Sequence, residues 1–171
     1  MNFTFTNETS KKSVFTSVKD FLEKKGFSID KIDRERPWGG FFVIDEKQSD
    51  AFKKNFFEGV TKNADNSGIK LSPKILVVQA HRRLSWQYHF RRSEIWKLIG
   101  GEAGIVRSND DSEGPLEKLQ PDEIISLKQG ERHRLIGLNS WGIIAEIWQH
   151  TDHNKPSDED DIVRVQDDFG R

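Results

Sequence analysis

KILVVQA (residues 74–80), LSWQYHF (84–90), EIWKLI (94–99), EAGIVR (102–107), EIISL (123–127), HRLIGL (133–138) and GIIAEIWQ (142–149) follow one another through the second half of the chain. Each run is short, apolar or alternating, and bounded by residues that favour turns. Seven such runs at this spacing predict an antiparallel sandwich or barrel rather than an alternating α/β chain. The expected fold class is therefore all-β.

The flanking sequence reads differently. Residues 14–25 place Val14, Phe15, Val18, Phe21 and Leu22 on one helical stripe, with Ser13 to cap its start and Gly26 to end it. Arg36-Pro37-Trp38-Gly39-Gly40 demands a turn, and FFVID (41–45) favours a strand after it. Residues 50–62 predict a second helix, in which Phe52, Phe56 and Val60 fall four apart and Phe57 widens the stripe; Ser49 or Asp50 would cap it. Residues 62–73 read as a loop. The acidic stretch 154–161 should leave the barrel before residues 162–171 return as a short ordered end. The expected organisation is an N-terminal helical extension (1–33) and a barrel domain (34–171) with a helical insertion near 50–62.

A chain of 171 residues has room for one ordinary domain. Charged residues make up 32% of it and nearly cancel, to a net charge of −1, so no basic excess points to nucleic acid or an anionic membrane. There is no cysteine, which excludes a disulfide framework, a thiolate metal site and a cysteine nucleophile. Residues 1–13 lack the basic start and apolar run of a signal peptide, and no later run approaches membrane-spanning length. The expected setting is cytoplasmic, with a small molecule rather than a nucleic acid or a membrane as partner.

Chemistry concentrates in the barrel runs. Strand alternation in LSWQYHF places Arg83, Ser85, Gln87 and His89 on one face and Leu84, Trp86 and Tyr88 on the other. A turn at 90–93 would let Glu94 open the next strand and approach Gln87 and His89. His133 follows Gly130 and precedes an apolar run, where a turn delivers the chain back into the sheet. Two imidazoles, a carboxylate and an amide oxygen suit zinc, manganese, iron, cobalt or nickel better than calcium or copper(I). Glu146 lies within the otherwise apolar IIAEIW run, where burial would raise its pKa into the range of a general base; pairing with an arginine is the competing reading. Ser85, Arg91 and Arg132 are candidates to bind a phosphate, and each also reads as a plain surface residue. Trp38 reads as a packing residue. Trp86, Trp96 and Trp148 read either as core or as a sugar-stacking platform. His81, His150 and His153 fall outside the metal spacing.

Gln87-x-His89-x4-Glu94, with His133 much later, resembles the two-part metal motif of cupins, His-x-His-x4-Glu followed by a distant histidine. Glutamine in the first position is similar to phosphomannose isomerases. The resemblance extends beyond the ligands. Arg36-Pro37-Trp38-Gly39, Leu84 to His89, Ser93-Glu94-Ile95-Trp96, Gly130 to Leu135 and Glu159 to Arg164 occur in the order found in the cupin domain of type II mannose-6-phosphate isomerases. The closing residues 167–171 (DDFGR) are similar too, whereas His89-Phe90-Arg91 departs from the family's histidine-rich run. The resemblance implies a jelly-roll barrel and one divalent metal, zinc foremost, held by Gln87, His89, Glu94 and His133. It further implies isomerisation of mannose 6-phosphate and fructose 6-phosphate through an enediolate, with Arg164 closing over the sugar phosphate, for which a salt bridge to Asp160 or Asp161 is the competing reading, and a homodimer common for the type. Two other functions remain open at this point: a non-catalytic sugar-phosphate-binding or regulatory cupin, and a metal-dependent dioxygenase.

Overall fold

The computed structural model describes residues 3–59, 69–121 and 123–170. Its first helix, α1 (Lys11–Lys24), starts earlier than the apolar stripe suggests, because Ser10 rather than Ser13 is the cap: the Ser10 hydroxyl accepts from the Ser13 amide. Val14, Phe15, Val18 and Leu22 are its buried residues. The helix ends at Lys24, with Lys25 as its cap and then Gly26, which adopts a positive φ of 83°. Strand β1 (Ile29–Asp33) then pairs with β2 (Gly39–Ile44) across the turn at Pro37 and Trp38. The sequence IDKID gives no clear alternation, so β1 is not foreseen; its pairing with β2 binds the N-terminal extension into the sheet.

Asp45 caps a short 3-10 turn (Glu46–Gln48) that leads into α2 (Ser49–Phe56). This helix is shorter than the expected 50–62, since Phe57 already has non-helical backbone, and Val60 lies outside the described residues. Strand β3 (Leu71–Val78) begins inside the segment read as a loop, of which residues 62–68 are also outside the description.

The remaining strands are β4 (Trp86–His89), β5 (Arg92–Ser108), β6 (Glu117–Lys118), β7 (Ile124–Leu127), β8 (Arg132–His150) and β9 (Ile162–Gln166). Four of the seven runs thus merge into two long strands. EIWKLI and EAGIVR form β5, and HRLIGL and GIIAEIWQ form β8. The turn-like residues between them are bends within paired strands: register shifts occur between Leu98 and Gly100 and between Gly101 and Ala103. Gly101 has a φ of 68°, and a Cβ there would stand 1.6 Å from the Trp141 carbonyl oxygen, so only glycine fits this bend.

β8 is the spine of a sheet curled into an all-β jelly roll. Its second half, from Gly142 to Gln149, lies between β3 and the first half of β5, while its first half pairs with the second half of β5 and meets β4 at Gln87 and His133. β9 closes against β4, its Arg164 opposite Gln87. Both faces of the central strands are buried. Ile75 and Val77 of β3, with Ile143, Ala145 and Ile147 of β8, join a core built from the phenylalanines of both helices, where Phe52 and Phe56 ring centroids are 4.7 Å apart. Leu76, Val78, Trp96, Leu98, Leu135 and Ile144 point the other way into the barrel, together with Trp38 and Phe41. Trp38 packs there, as its sequence context suggests. Among the described residues, no helix is long and apolar enough to cross a membrane.

Candidate metal centre and its cavity

β4, β5 and β8 each deliver polar groups to the barrel interior. Gln87 and His89 share a face of β4 by alternation, and Gln87 is the direct cross-strand partner of His133. Glu94 stands on β5. All four are buried, with His89, Glu94 and His133 no more than 3% exposed. His89 Nε2 lies 3.2 Å from Glu94 Oε1, and His133 Nε2 lies 3.4 Å from Glu94 Oε2. The three groups offer ligand atoms that all fall within 4.8 Å of one another. Gln87 adjoins them, its Oε1 accepting a 2.6 Å hydrogen bond from the Ser85 hydroxyl.

Both histidine tautomers follow from their partners. His133 Nδ1 is 2.9 Å from the Glu131 carbonyl oxygen, and His89 Nδ1 is 3.3 Å from that of Asp161. A carbonyl only accepts, so each Nδ1 carries the proton and each Nε2 presents its lone pair to the interior. The backbone carbonyl behind the imidazole is the usual orienting partner of a histidine ligand. His133 Nε2 is buried without a hydrogen-bond partner among the described residues, a state that costs about 1–3 kcal/mol unless something fills it. Burial, with Arg92 adding to it and Glu94 opposing, pushes the His89 pKa down to about 3, so the ring is neutral at physiological pH and no proton competes for its Nε2 lone pair. Burial alone would push Glu94 up, but the cluster holds it well below the usual carboxylate range, and with His89 neutral the charge that does so is the Arg92 guanidinium 2.7 Å away. Two imidazoles with Nε2 turned inward and one carboxylate fit a divalent cation of the zinc to manganese group.

Arg92 completes the cluster and was not foreseen. Its Nε donates to Glu94 Oε1 at 2.7 Å and its Nη2 approaches His89 Nε2 at 3.1 Å, while Nη1 donates to the Ser157 hydroxyl at 2.8 Å. The signal was available: Arg92 sits two residues before Glu94 on one strand and so shares its face. A cation on His89 Nε2 and Arg92 on the same lone pair exclude each other.

A cavity beside the cluster has about 60 Å³ of open space and is lined by Ser85, Gln87, Glu94, Glu146 and Arg164 among the expected site residues. Glu146 is 4% exposed, and the Trp96 indole N–H bridges it to the centre, 2.9 Å from Glu146 Oε1 and 3.1 Å from Glu94 Oε2. Burial, and then the neighbouring Glu94 charge, raise the Glu146 pKa to about 8 against the opposing pull of Lys74, Arg92 and Trp96. Trp148 also lines the cavity, with Lys74 Nζ 3.2 Å and Arg92 Cζ 3.5 Å from its ring centroid.

Arg91 and Arg132 lie elsewhere. Arg91, in the turn between β4 and β5, holds the C-terminal tail through the Pro156 carbonyl, Asp158 and Asp161. Arg132 alternates with His133 along β8 and therefore faces outward, where it pairs with Asp111 and covers the Tyr88 ring. Trp86 turns away from the cavity as well, donating to the Asp111 carbonyl, so the three tryptophans form no common platform. His150 is a structural residue between Ser72 and the Ser157 amide. The cavity's remaining cations, Arg36 and Lys74, and the tail residue Glu159 had no signal in the metal motif. Lys74 shares a face of β3 with Leu76 by alternation, but its place opposite Glu146 is set by strand pairing that the sequence does not display.

Three solved structures share this fold at low identity. They are a variant of Bacillus subtilis oxalate decarboxylase OxdC (10% identical, 79% of this chain and 30% of that one, TM-score 0.56), the capsular polysaccharide assembling protein CapF of Staphylococcus aureus (14%, 82% and 33%, TM-score 0.51), and vicilin from Solanum lycopersicum (15%, 74% and 32%, TM-score 0.50). The chain spans about a third of the length of each. No curated protein sequence matches it closely enough to count as a relative. The family described as "Mannose-6-phosphate isomerase C-terminal" matches residues 59–167. That match takes in every strand from β3 to β9 and all the groups of the metal cluster, and the chain belongs to this cupin-like mannose-6-phosphate isomerase C-terminal family.

Proposed function

We propose that the protein is a metal-dependent sugar-phosphate isomerase that interconverts mannose 6-phosphate and fructose 6-phosphate. The observation that carries this reading is the convergence of His89 Nε2, Glu94 and His133 Nε2, with both tautomers fixed, one tryptophan away from a buried carboxyl whose pKa is about 8. His89, Glu94 and His133 would hold one divalent ion, zinc foremost, with Gln87 as the adjoining oxygen donor. When bound, that ion supplies Lewis acidity toward a sugar oxygen.

The chain's own residues do the rest. Aldose–ketose exchange moves a proton between neighbouring carbons by way of an enediolate, so it needs one group able to take a proton and return it. Glu146 has the placement and a pKa close to working pH. Trp96 fixes the carboxylate's direction through its indole N–H. Ser85 orients Gln87, and Arg164, brought opposite Gln87 by β9, provides positive charge at the cavity. The buried aromatic walls of Trp38, Phe41, Trp96 and Trp148 keep water from the reacting carbons.

The test is incubation of metal-loaded protein with fructose 6-phosphate, followed by NMR for the aldose. Conversion with at least one of zinc, manganese, cobalt or nickel is expected, and none with any of them would refute the reading. One observation favours a second function, a sugar-phosphate-binding cupin without turnover. The Arg92 guanidinium already neutralises Glu94 and occupies the His89 lone pair, doing electrostatically what a cation would do. That function predicts binding of fructose 6-phosphate with no aldose formed.

A further inference from the structure

Lys74 is the most deeply buried amine of the cavity. It is 6% exposed, opposes Glu146 across the β3–β8 pairing, and lies over the rings of Trp148 and Phe41. Its direct ionic partner comes from the C-terminal tail, where Glu159 Oε1 accepts from Lys74 Nζ at 3.1 Å. The two partners differ sharply. The Glu159 side chain is 49% exposed, at the cavity mouth, whereas that of Lys74 is 7% exposed. Burial favours the neutral amine and lowers the Lys74 pKa despite the carboxylates nearby. Burial raises and Lys74 then lowers the Glu159 pKa, with Arg36 adding to the lowering, and the carboxylate remains ionised.

The Glu159 carboxylate stays half in water and is readily solvated once it lets go, so the cost of release falls on buried Lys74, which needs an incoming anion to replace it. The tail that carries it has stronger holds of its own. Asp161 accepts from the amides of Phe90 and Arg91 and from the Ser157 hydroxyl. Glu159 can therefore leave Lys74 while the tail stays in place. The cavity requires some such movement, since about 60 Å³ of open space is far below the ~300 Å³ or more of an ordinary small-molecule site. Arg36 is paired with Asp33 and Arg92 with Glu94, so withdrawal of Glu159 leaves Lys74 as a buried cation whose direct carboxylate partner has gone, which suits an incoming anion.

We infer that Lys74 binds the phosphate group of the substrate and that Glu159 is its internal stand-in, displaced when the phosphate enters. This assignment rests on the sugar-phosphate reading above and adds the subsite that reading lacked once Arg91 and Arg132 were found outside the cavity. Lysine binds phosphate as a point charge, and a dianionic phosphate ester outcompetes a carboxylate at the same amine.

The experiment is calorimetric titration of the full chain with inorganic phosphate, with fructose 6-phosphate and with fructose. Glu159→Gln keeps the shape and removes the competitor, so phosphate and fructose 6-phosphate should bind about two- to fivefold more tightly than to the wild type. Asp160→Asn, which changes net charge equally in the same turn, should leave both affinities unchanged. Lys74→Met should weaken both by about tenfold or more, with Lys74→Arg restoring most of the loss and circular dichroism reporting that each variant is folded. Fructose should bind all variants alike. The inference is overturned if folded Glu159→Gln binds phosphate no more tightly than wild type, or if Asp160→Asn tightens binding as much. Inorganic phosphate does not turn over, so absence of isomerase activity would leave these affinities interpretable; conversely, undiminished isomerisation by Lys74→Met would remove this inference alone.

Discussion

On β3 and β8, Ile75, Val77, Ile143, Ala145 and Ile147 pack against the phenylalanines of α1 and α2; their immediate neighbours Lys74, Leu76, Ile144, Glu146 and Trp148 face the barrel interior. The two regions share backbone, register and burial. They differ in what is buried. The helix-covered face is hydrophobic, its one polar atom there, the Trp141 indole N–H, being satisfied by the Thr9 carbonyl, whereas the interior face mixes the same aliphatic residues with the ionisable groups Lys74, His133 and Glu146 from these strands and His89, Arg92 and Glu94 from β4 and β5. Buried charges are costly unless paired, so the interior face trades stability for chemistry. Substitutions on the two faces should therefore fail in different ways.

The largest separation is expected in metal content. His89→Ala and His133→Ala should each weaken binding of the ion by more than the ~10–100-fold that loss of a mere supporting partner costs, leaving little metal by mass spectrometry. His153→Ala should retain it. Phe52→Ala, on the opposite face, should destabilise the chain by about 3–5 kcal/mol in urea unfolding and leave the metal content of the folded fraction unchanged. If Phe52→Ala strips the metal as the histidine variants do, the two faces are not independent.

A subtler contrast lies in pH. Glu146 has its folded pKa raised to about 8 from an ordinary 4.5, so its contribution to stability is full below pH ~4.5 and is lost as pH climbs through 8. In metal-free protein, Glu146→Gln should melt higher than wild type at pH 9, by at least ~2–4 °C, and show no such gain at pH 4. An equal difference at both pH values would mean that Glu146 is not held neutral by its surroundings. The smallest effect belongs to the outer surface. Arg132→Ala should change the KM for a sugar phosphate by less than about twofold, because it breaks only a surface pair with Asp111.

This two-faced construction explains what the sequence could and could not convey. A strand buried on both sides reads as a continuous apolar run, which makes GIIAEIWQ recognisable as a strand and Glu146 conspicuous within it. The metal groups were legible because alternation joins Gln87 to His89 and the family's spacing adds Glu94 and His133. Period-two alternation also separates His133 from its neighbour Arg132, so the outward direction of Arg132 was implicit in the same rule that placed the histidine inside. The long-range contacts were not legible. Glu159 reaches Lys74 across 85 residues, a pairing no local pattern encodes. The merging of runs into β5 and β8 escaped for another reason: glycines at 100, 101 and 142 signal a turn locally, and only cross-strand pairing shows them to be bends.

Anomalous diffraction from crystals of the zinc-loaded protein decides whether the interior face is a metal centre. A single peak about 2.0–2.2 Å from His89 Nε2, a Glu94 oxygen and His133 Nε2 is the expected result, with Arg92 withdrawn from His89. A peak elsewhere, or none with the Arg92 guanidinium still on Glu94 and His89, would contradict it.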